Sequence, residues 1–308
     1  MMPLFQVEMP ANAGTFFSHV MEIAAFDFYD FGDIIHDKLN IEPTDPIDSN
    51  FESVGFESQY FLVNMGTMVI FYLIYLFFFI LAPIIRLLRK SCKCMKRCSQ
   101  RLDRSIYWGS LITLMNESYM IIIVCALINI KIFSLDSTGL SVMSILCAIL
   151  LSLTIILPIC FITQLCCRFH QLNNDKMKRR YGSLYEELDT RKGRKILMMP
   201  SFFLIRRFIL AIAICVVGRI LIWQIFLMAA QIIFQVNIIG ADVFTSRSKK
   251  ALEYFNELVL MMTMYTMMCF SPFVEDPLTK HYIGYVSISF VILHLVVNLF
   301  LIFRGTVM

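Results

Sequence analysis

The chain has 308 residues, is 58% hydrophobic and carries a formal net charge of +4. Its mean hydropathy is +0.71, and the apolar excess over the roughly 45–50% of soluble domains falls in runs of about 20 residues, the length that crosses a bilayer as a helix. An ordinary soluble domain is excluded. The runs are continuous and do not alternate, so they read as helices and not as strands of a closed barrel.

The first 58 residues are polar and acidic. They hold Glu8, Glu22, Asp27, Asp30, Asp33, Asp37, Glu42, Asp45, Asp48, Glu52 and Glu57 against a single base, Lys38. Within them, residues 14–39 have the periodicity of one or two short amphipathic helices and are rich in aromatics: Phe16, Phe17, Phe26, Phe28, Tyr29 and Phe31. So many exposed rings predict a contact, either with a partner or with the rim of the chain's own bundle. Residues 40–58 contain Pro43, Pro46 and Gly55 and read as a loop. No basic start followed by a short apolar core marks a secretory signal. The first span is then read as a reverse signal-anchor or, preferably, as the start of the membrane end of a longer secreted precursor.

Span 1 is expected at about 61–85, ending at Pro83. A basic segment, 86–106, follows, with Cys92, Cys94 and Cys98 among its lysines and arginines. Span 2 is expected at about 109–130 and span 3 at about 140–165, with Pro158 inside. Residues 168–202 form a second basic segment, entered through Cys166 and Cys167. These five juxtamembrane cysteines are palmitoylation candidates; their spacing fits no common zinc module. No metal and no cofactor is expected.

The run from Phe203 to Gly240 is too long for one span and long enough for two tight ones. Dividing it at Gly218-Arg219 places every basic loop on one side, as the positive-inside rule requires. The loop with Arg247, Lys249 and Lys250 then shares a side with both basic segments, and the Glu275/Asp276 turn shares the other with the acidic N-terminus. Later spans follow at about 254–271 and 282–303. The expected fold is all-α: a polytopic transmembrane helical bundle of seven spans, N-terminus outside and C-terminus cytoplasmic. It divides into an acidic extracellular or lumenal segment, 1–58, and a membrane domain, 59–308.

Several segments, taken in order, resemble a family. They are YWGSL (107–111), NESY (116–119), KRRYGSLYEEL (178–188), PSFFLIRRFILA (200–211), YFNELVLM (254–261) and Ile283-Gly284. Together they resemble the C-terminal multi-span region of large ciliate surface proteins, itself loosely similar to fungal TRP-like membrane proteins. The resemblance covers roughly 50–303. It implies a polytopic module that follows a large ectodomain, of which these 308 residues include none, in a plasma or ciliary membrane, with an endomembrane as the other setting.

Polar residues inside the spans are the candidate functional groups. Glu117, Glu257, Asn256, Arg206 and Arg207 lie at similar expected depth, where an unpaired charge is costly. They fit an ion or proton site, or structural pairing at the interface, and the structural reading is preferred. Gln224, Gln231 and Gln235 share one helix face, suited to interhelical hydrogen bonds or to a polar lining. His294 and Asn298 sit one turn apart and are assigned to packing. No catalytic motif is found, so no enzyme is expected. The expected partners are membrane lipids, with anionic lipid at the basic loops, and other membrane or extracellular subunits. Nucleic acid is not among them, because the bases flank spans.

Overall fold

The computed structural model describes residues 9–25, 32–39, 41–47, 49–52, 55–88, 109–172, 174–185, 188–217, 221–241, 243–272 and 274–307. Among these the chain is all-α, with no strand. In order the helices are α1 (Ala11–Ala25), α2 (Gly32–Leu39), α3 (Ser49–Glu52), α4 (Phe61–Met65), α5 (Thr67–Leu88), α6 (Leu111–Asn129), α7 (Thr138–Cys167), α8 (Asp175–Tyr185), α9 (Met199–Ile212), α10 (Leu221–Ala241), α11 (Arg247–Cys269) and α12 (Pro277–Val307).

Among the described residues, four helical stretches are long and apolar enough to cross a membrane: Leu111–Ile132, Thr138–Cys167, Arg194–Cys215 and Pro277–Arg304. Wide apolar surfaces stay uncovered, including Leu73, Phe77 and Ile80 on α5 and Leu299, Phe300 and Phe303 on α12. In water such patches would aggregate; in a bilayer they face acyl chains. The protein is therefore integral to a membrane. The other expected spans overlap α5, α10 and α11, none of which is among these four. The apolar stretches Met68–Ile84 and Phe226–Asn237 are shorter, and α11 opens with Arg247, Lys249 and Lys250. The break expected at Gly218-Arg219 lies outside the described residues. α5 continues to Leu88, past the expected stop at Pro83. Proline costs a helix one hydrogen bond, whereas irregular backbone in lipid would strip many more.

The chain divides into two compact units, and the division does not follow the change from acidic to basic at residue 58. One unit is Asp27–Asp45 with Ser58–Ala211. Its centre is α6, whose second half is apolar and suited to burial. Ile123, Val124, Cys125 and Ala126 are fully buried there. A turn at 133–137 reverses the chain into α7. Ser137 caps α7 by accepting from Leu140 N at 3.2 Å, the kind of cap that satisfies a free helix-end amide. Ser144 ties the turn down, donating to the Ser134 carbonyl at 2.9 Å. Gly66, at φ 44°, separates α4 from α5, a backbone state that glycine adopts without strain.

α2 seats on this end of the unit. Ile41, Tyr60 and Met143 form a buried cluster with Ile35, Leu39, Ile132 and Leu140 around it. The segments 41–45 and 58–60 are laced together. Gln59 N donates to Thr44 Oγ1 at 3.1 Å, its side chain donates to the Asp45 carbonyl at 3.0 Å, and its own carbonyl accepts from Asn129 Nδ2 at 3.3 Å. The acidic stretch is thus fastened at the end of the bundle where α6 stops and α7 begins.

The other unit is Met1–Phe26, Pro46–Glu57 and Ile212–Met308. Its spine is the antiparallel hairpin of α11 and α12. Thr266 Oγ1 donates to Ser287 Oγ at 3.0 Å near the turn, and Asn298 Nδ2 donates to Asn256 Oδ1 at 3.0 Å at the far end. α1 lies against the first turns of α12. Asn12 Nδ2 donates to the His281 carbonyl at 3.0 Å, and Gly284 leaves room for the Asn12 side chain. Ala13 and Phe17 are buried. The expected helical N-terminal segment is therefore present as α1 and α2, each packed within its own unit.

Two measurements check these contacts. A Cβ at Gly139 would stand 2.2 Å from the Leu39 carbonyl oxygen. Gly139→Ala should therefore cost about 1–3 kcal/mol, seen as a lowered melting midpoint in detergent; an unchanged midpoint would mean that α2 does not seat there. At the start of α12, the Asp276 carboxylate accepts from the Thr279 hydroxyl, from Thr279 N at 2.9 Å and from Leu278 N at 3.3 Å. These bonds, the hydroxyl foremost, hold its carboxyl below the usual range. A depressed folded pKa stabilises above the unfolded carboxylate value of about 4 and loses that stabilisation as pH falls through the folded value. Below about pH 4 the native midpoint should drop faster than that of Asp276→Asn. Parallel curves would contradict the cap.

Candidate functional site

Among the described residues, two groups of polar side chains between helices contain the candidate residues, one group in each unit. The first surrounds the NESY stretch of α6, residues 116–119. Ser118 is fully buried. Its hydroxyl donates to the Leu114 carbonyl at 2.7 Å, so at 2.6 Å from it the Tyr72 hydroxyl of α5 is the donor. Tyr119, 1% exposed, donates across to the Thr154 carbonyl of α7 at 3.0 Å. That carbonyl has lost its ordinary partner: four residues on stands Pro158, which has no N–H to give. The Pro158 carbonyl in turn accepts from Ser201 Oγ of α9 at 2.8 Å. Arg207, also on α9, donates to the Asn116 carbonyl at 2.7 Å and stacks over Phe203 at 4.2 Å. Three consecutive helices and α9 are thus held at one level by bonds that start or end on α6 and on the proline of α7.

Glu117 makes none of these hydrogen bonds. It is exposed; Arg207 directs its Nη1 at the neighbouring main-chain carbonyl, and the Glu117 charge acts on the Arg207 guanidinium through space. Arg206 lies over the Phe203 ring at 5.3 Å.

The second place centres on Glu257 of α11, which is buried at 8% exposure. The Gln231 side-chain amide of α10 donates to its carboxylate. Gln235, one turn further along α10, donates to the Glu257 main-chain carbonyl at 2.7 Å. Adjacent helical residues point about 100° apart, so Asn256 turns to the other neighbour and meets Asn298 of α12. Asn298 also reaches back to the His294 carbonyl at 2.8 Å. The His294 ring stacks on Phe255, centroids 6.4 Å apart. α11 therefore serves α10 with one polar residue and α12 with the next.

The structure brings Gln231, Gln235 and Glu257 together; the side chain of Gln224 lies outside the described residues. Cys166 is half-buried and Cys167 exposed at the end of α7, while Cys92, Cys94 and Cys98 lie outside the described residues. Phe17 is buried and Phe16 half-buried on α1, and Phe26, Phe28, Tyr29 and Phe31 again lie outside them. Among the described residues, no three His, Cys, Asp or Glu side chains converge as a metal ion would need. Sequence reasoning missed Tyr72, Ser118, Tyr119, Thr154 and Ser201. One signal was present: a proline inside a membrane helix leaves the carbonyl four residues earlier in want of a donor.

Compared with protein-family models, with curated proteins and with solved structures, the chain matches none. The functional reading rests on the geometry.

Tyr119 and Tyr72 offer a graded check. Tyr119→Phe leaves the Thr154 carbonyl without its cross-helix donor, at a cost of about 1–3 kcal/mol for a buried unsatisfied group. Tyr72→Phe leaves Ser118 still bonded to Leu114 and should cost about 1 kcal/mol or less. Thermal midpoints of the two variants in detergent should rank in that order, and a reversed ranking would refute the role given to Pro158.

Proposed function

We propose that the chain is a non-enzymatic polytopic membrane protein that serves as membrane anchor and assembly module of a larger surface complex. It spans the membrane seven times, N-terminus outside and C-terminus cytoplasmic. The observation that supports this best is the destination of the intramembrane polar groups. Tyr72, Tyr119, Ser201, Gln235 and Asn298 each end on a neighbouring helix. Hydrogen bonds of this kind join membrane helices and fix their positions, which is what a module that must present a constant surface requires.

The charge layout supports the orientation within each unit. In the first, the acidic segment seats where α6 ends and α7 begins, and the basic segment lies at the opposite end of α7, after Cys167. In the second, the Asp276 turn lies at one end of the hairpin, and Arg247, Lys249 and Arg304 at the other. Lysine and arginine mark the cytoplasmic side. The resemblance to ciliate surface proteins favours a plasma or ciliary membrane, and the exposed Cys167 is suited to palmitoylation.

A second reading is a TRP-like cation channel or transporter. It is favoured by Glu257, a buried carboxylate with an amide donor, since intramembrane acids often mark ion or proton routes.

Reconstitution into liposomes separates the two. The anchor reading expects cation flux no greater than that of protein-free vesicles. Robust flux, abolished by Glu257→Gln, would replace it with the channel reading. Topology is read independently with a reporter that works only in the cytosol. It should be active at the C-terminus and silent at the N-terminus, and an active N-terminal fusion would overturn the seven-span assignment.

A further inference from the structure

The segment between α7 and α9 is a folded platform. Residues 168–198 carry nine lysines and arginines and four acids. Their apolar side chains are turned inward: Leu172, Met177, Leu184, Tyr185, Ile196 and Leu197 are all buried. Tyr185 fastens the platform by donating to the Leu172 carbonyl at 2.8 Å.

The described outward face carries several bases. Lys178, Arg191, Arg194 and Lys195 are exposed, and among the described residues none of the four side chains has a carboxylate partner. Lys192 reaches Asp189 at 3.9 Å. Leaving bases unneutralised on an ordered surface raises the local positive potential, which attracts an anion. Arg194 is the most fixed of them. It donates from Nη2 to His170 Nε2 at 3.2 Å and lies over the Phe169 ring at 5.6 Å. One edge of the guanidinium is thereby held, and its remaining N–H groups are left for a ligand. A planar guanidinium suits the paired oxygens of a phosphate.

The depth of the site identifies the class of anion. Arg168 directly follows Cys167, the last residue of one membrane-crossing stretch, and Arg194 is the first residue of another. The His170–Arg194 contact therefore sits where two apolar helices leave the bilayer, at the level of lipid headgroups. Apolar helix surface lies beside it, with Ile156 and Ile159 exposed on α7 and Phe202 and Ile205 on α9. A ligand held there has its phosphate at the cations and its chains along these helices.

We infer that Arg194, with Lys178, Arg191 and Lys195, forms a binding site for an anionic phospholipid headgroup. Lysine and arginine clusters next to membrane spans recognise such lipids by charge. The site depends on α7 and α9 crossing the membrane and holds whether the module anchors or conducts.

The test is native mass spectrometry of the full chain in detergent, titrated with phosphatidylserine, a phosphoinositide and phosphatidylcholine. The wild type should retain the two anionic lipids and release phosphatidylcholine. Lys178→Gln/Arg191→Gln/Lys195→Gln should weaken anionic lipid by about two orders of magnitude, about fivefold for each base removed. Arg194→Gln alone should weaken the phosphoinositide more than any other single change. Lys131→Gln removes the same charge at the opposite end of α6 and should leave binding unchanged. Two wild-type arms stand apart from variant folding. Soluble inositol phosphate should compete poorly, and raising salt from about 0.1 M to about 1 M, which shortens screening from about 10 Å to about 3 Å, should release the lipid. Equal retention of all three lipids, unchanged binding in the triple variant, or full competition by the soluble phosphate or by an acidic peptide would overturn the assignment.

Discussion

A bilayer offers no water to a backbone carbonyl that has lost its donor, and the unit built on α6 turns on one such carbonyl. Pro158 cannot give an N–H to Thr154. In lipid that orphan would cost several kcal/mol, so the helix is viable only where a neighbour supplies a proton. Tyr119 supplies it. The requirement fixes the rotation of α6 about its axis, because the phenol must point at α7. With that rotation set, Ser118 is directed to α5 and meets Tyr72, and the Asn116 carbonyl is left for Arg207. Ser201 on the Pro158 carbonyl adds α9 to the same level. The van der Waals packing of Ile122, Ile123 and Cys125 then follows around a helix whose orientation is already determined.

The second unit reaches the same end by a different device. No proline interrupts α11, and its adjacent Asn256 and Glu257 divide between two neighbours instead. A buried carboxylate demands a donor, and Gln231 meets that demand from α10. Asn256 and Asn298 form the matching link to α12. Thr266 and Ser287 complete it near the turn, so the hairpin is fixed at both ends and cannot slide by a helical turn without breaking two polar contacts.

Much of this was legible in the residues. Apolar run length gave the helices, and the spans expected at 109–130 and 140–165 differ from α6 and α7 by two residues or fewer at each end. Gln231, Gln235 and Glu257 stood out because polar groups are rare in spans. Their convergence could not be read, since helix-to-helix distance is a tertiary property. The Tyr119–Thr154 bond was half legible: Pro158 announces an orphan four residues back, but any hydroxyl or amide on any neighbour could have answered it. The docking of α1 and α2 was visible only as a surplus of aromatics. Which helix they would cover depends on Gly284 and Gly139, residues whose use is a close approach that composition does not display.

Glu117 is the residue whose position bears most directly on how the module works. It is exposed on an otherwise well-buried helix, six residues after Leu111 and so about 9 Å along the axis. A carboxylate at that depth and facing lipid would be expensive. Helical side chains, however, lean toward the helix N-terminus, and the N-terminus of α6 is the end against which the basic platform packs. Leaning shortens the path to the headgroup level by the length of the side chain itself. There the acid meets water, as long side chains near helix ends commonly do. Its exposure is then accounted for by its direction along the helix and requires no aqueous route through the bundle. The buried and bonded Glu257 is left as the carboxylate on which the proposed choice between anchor and conductor depends.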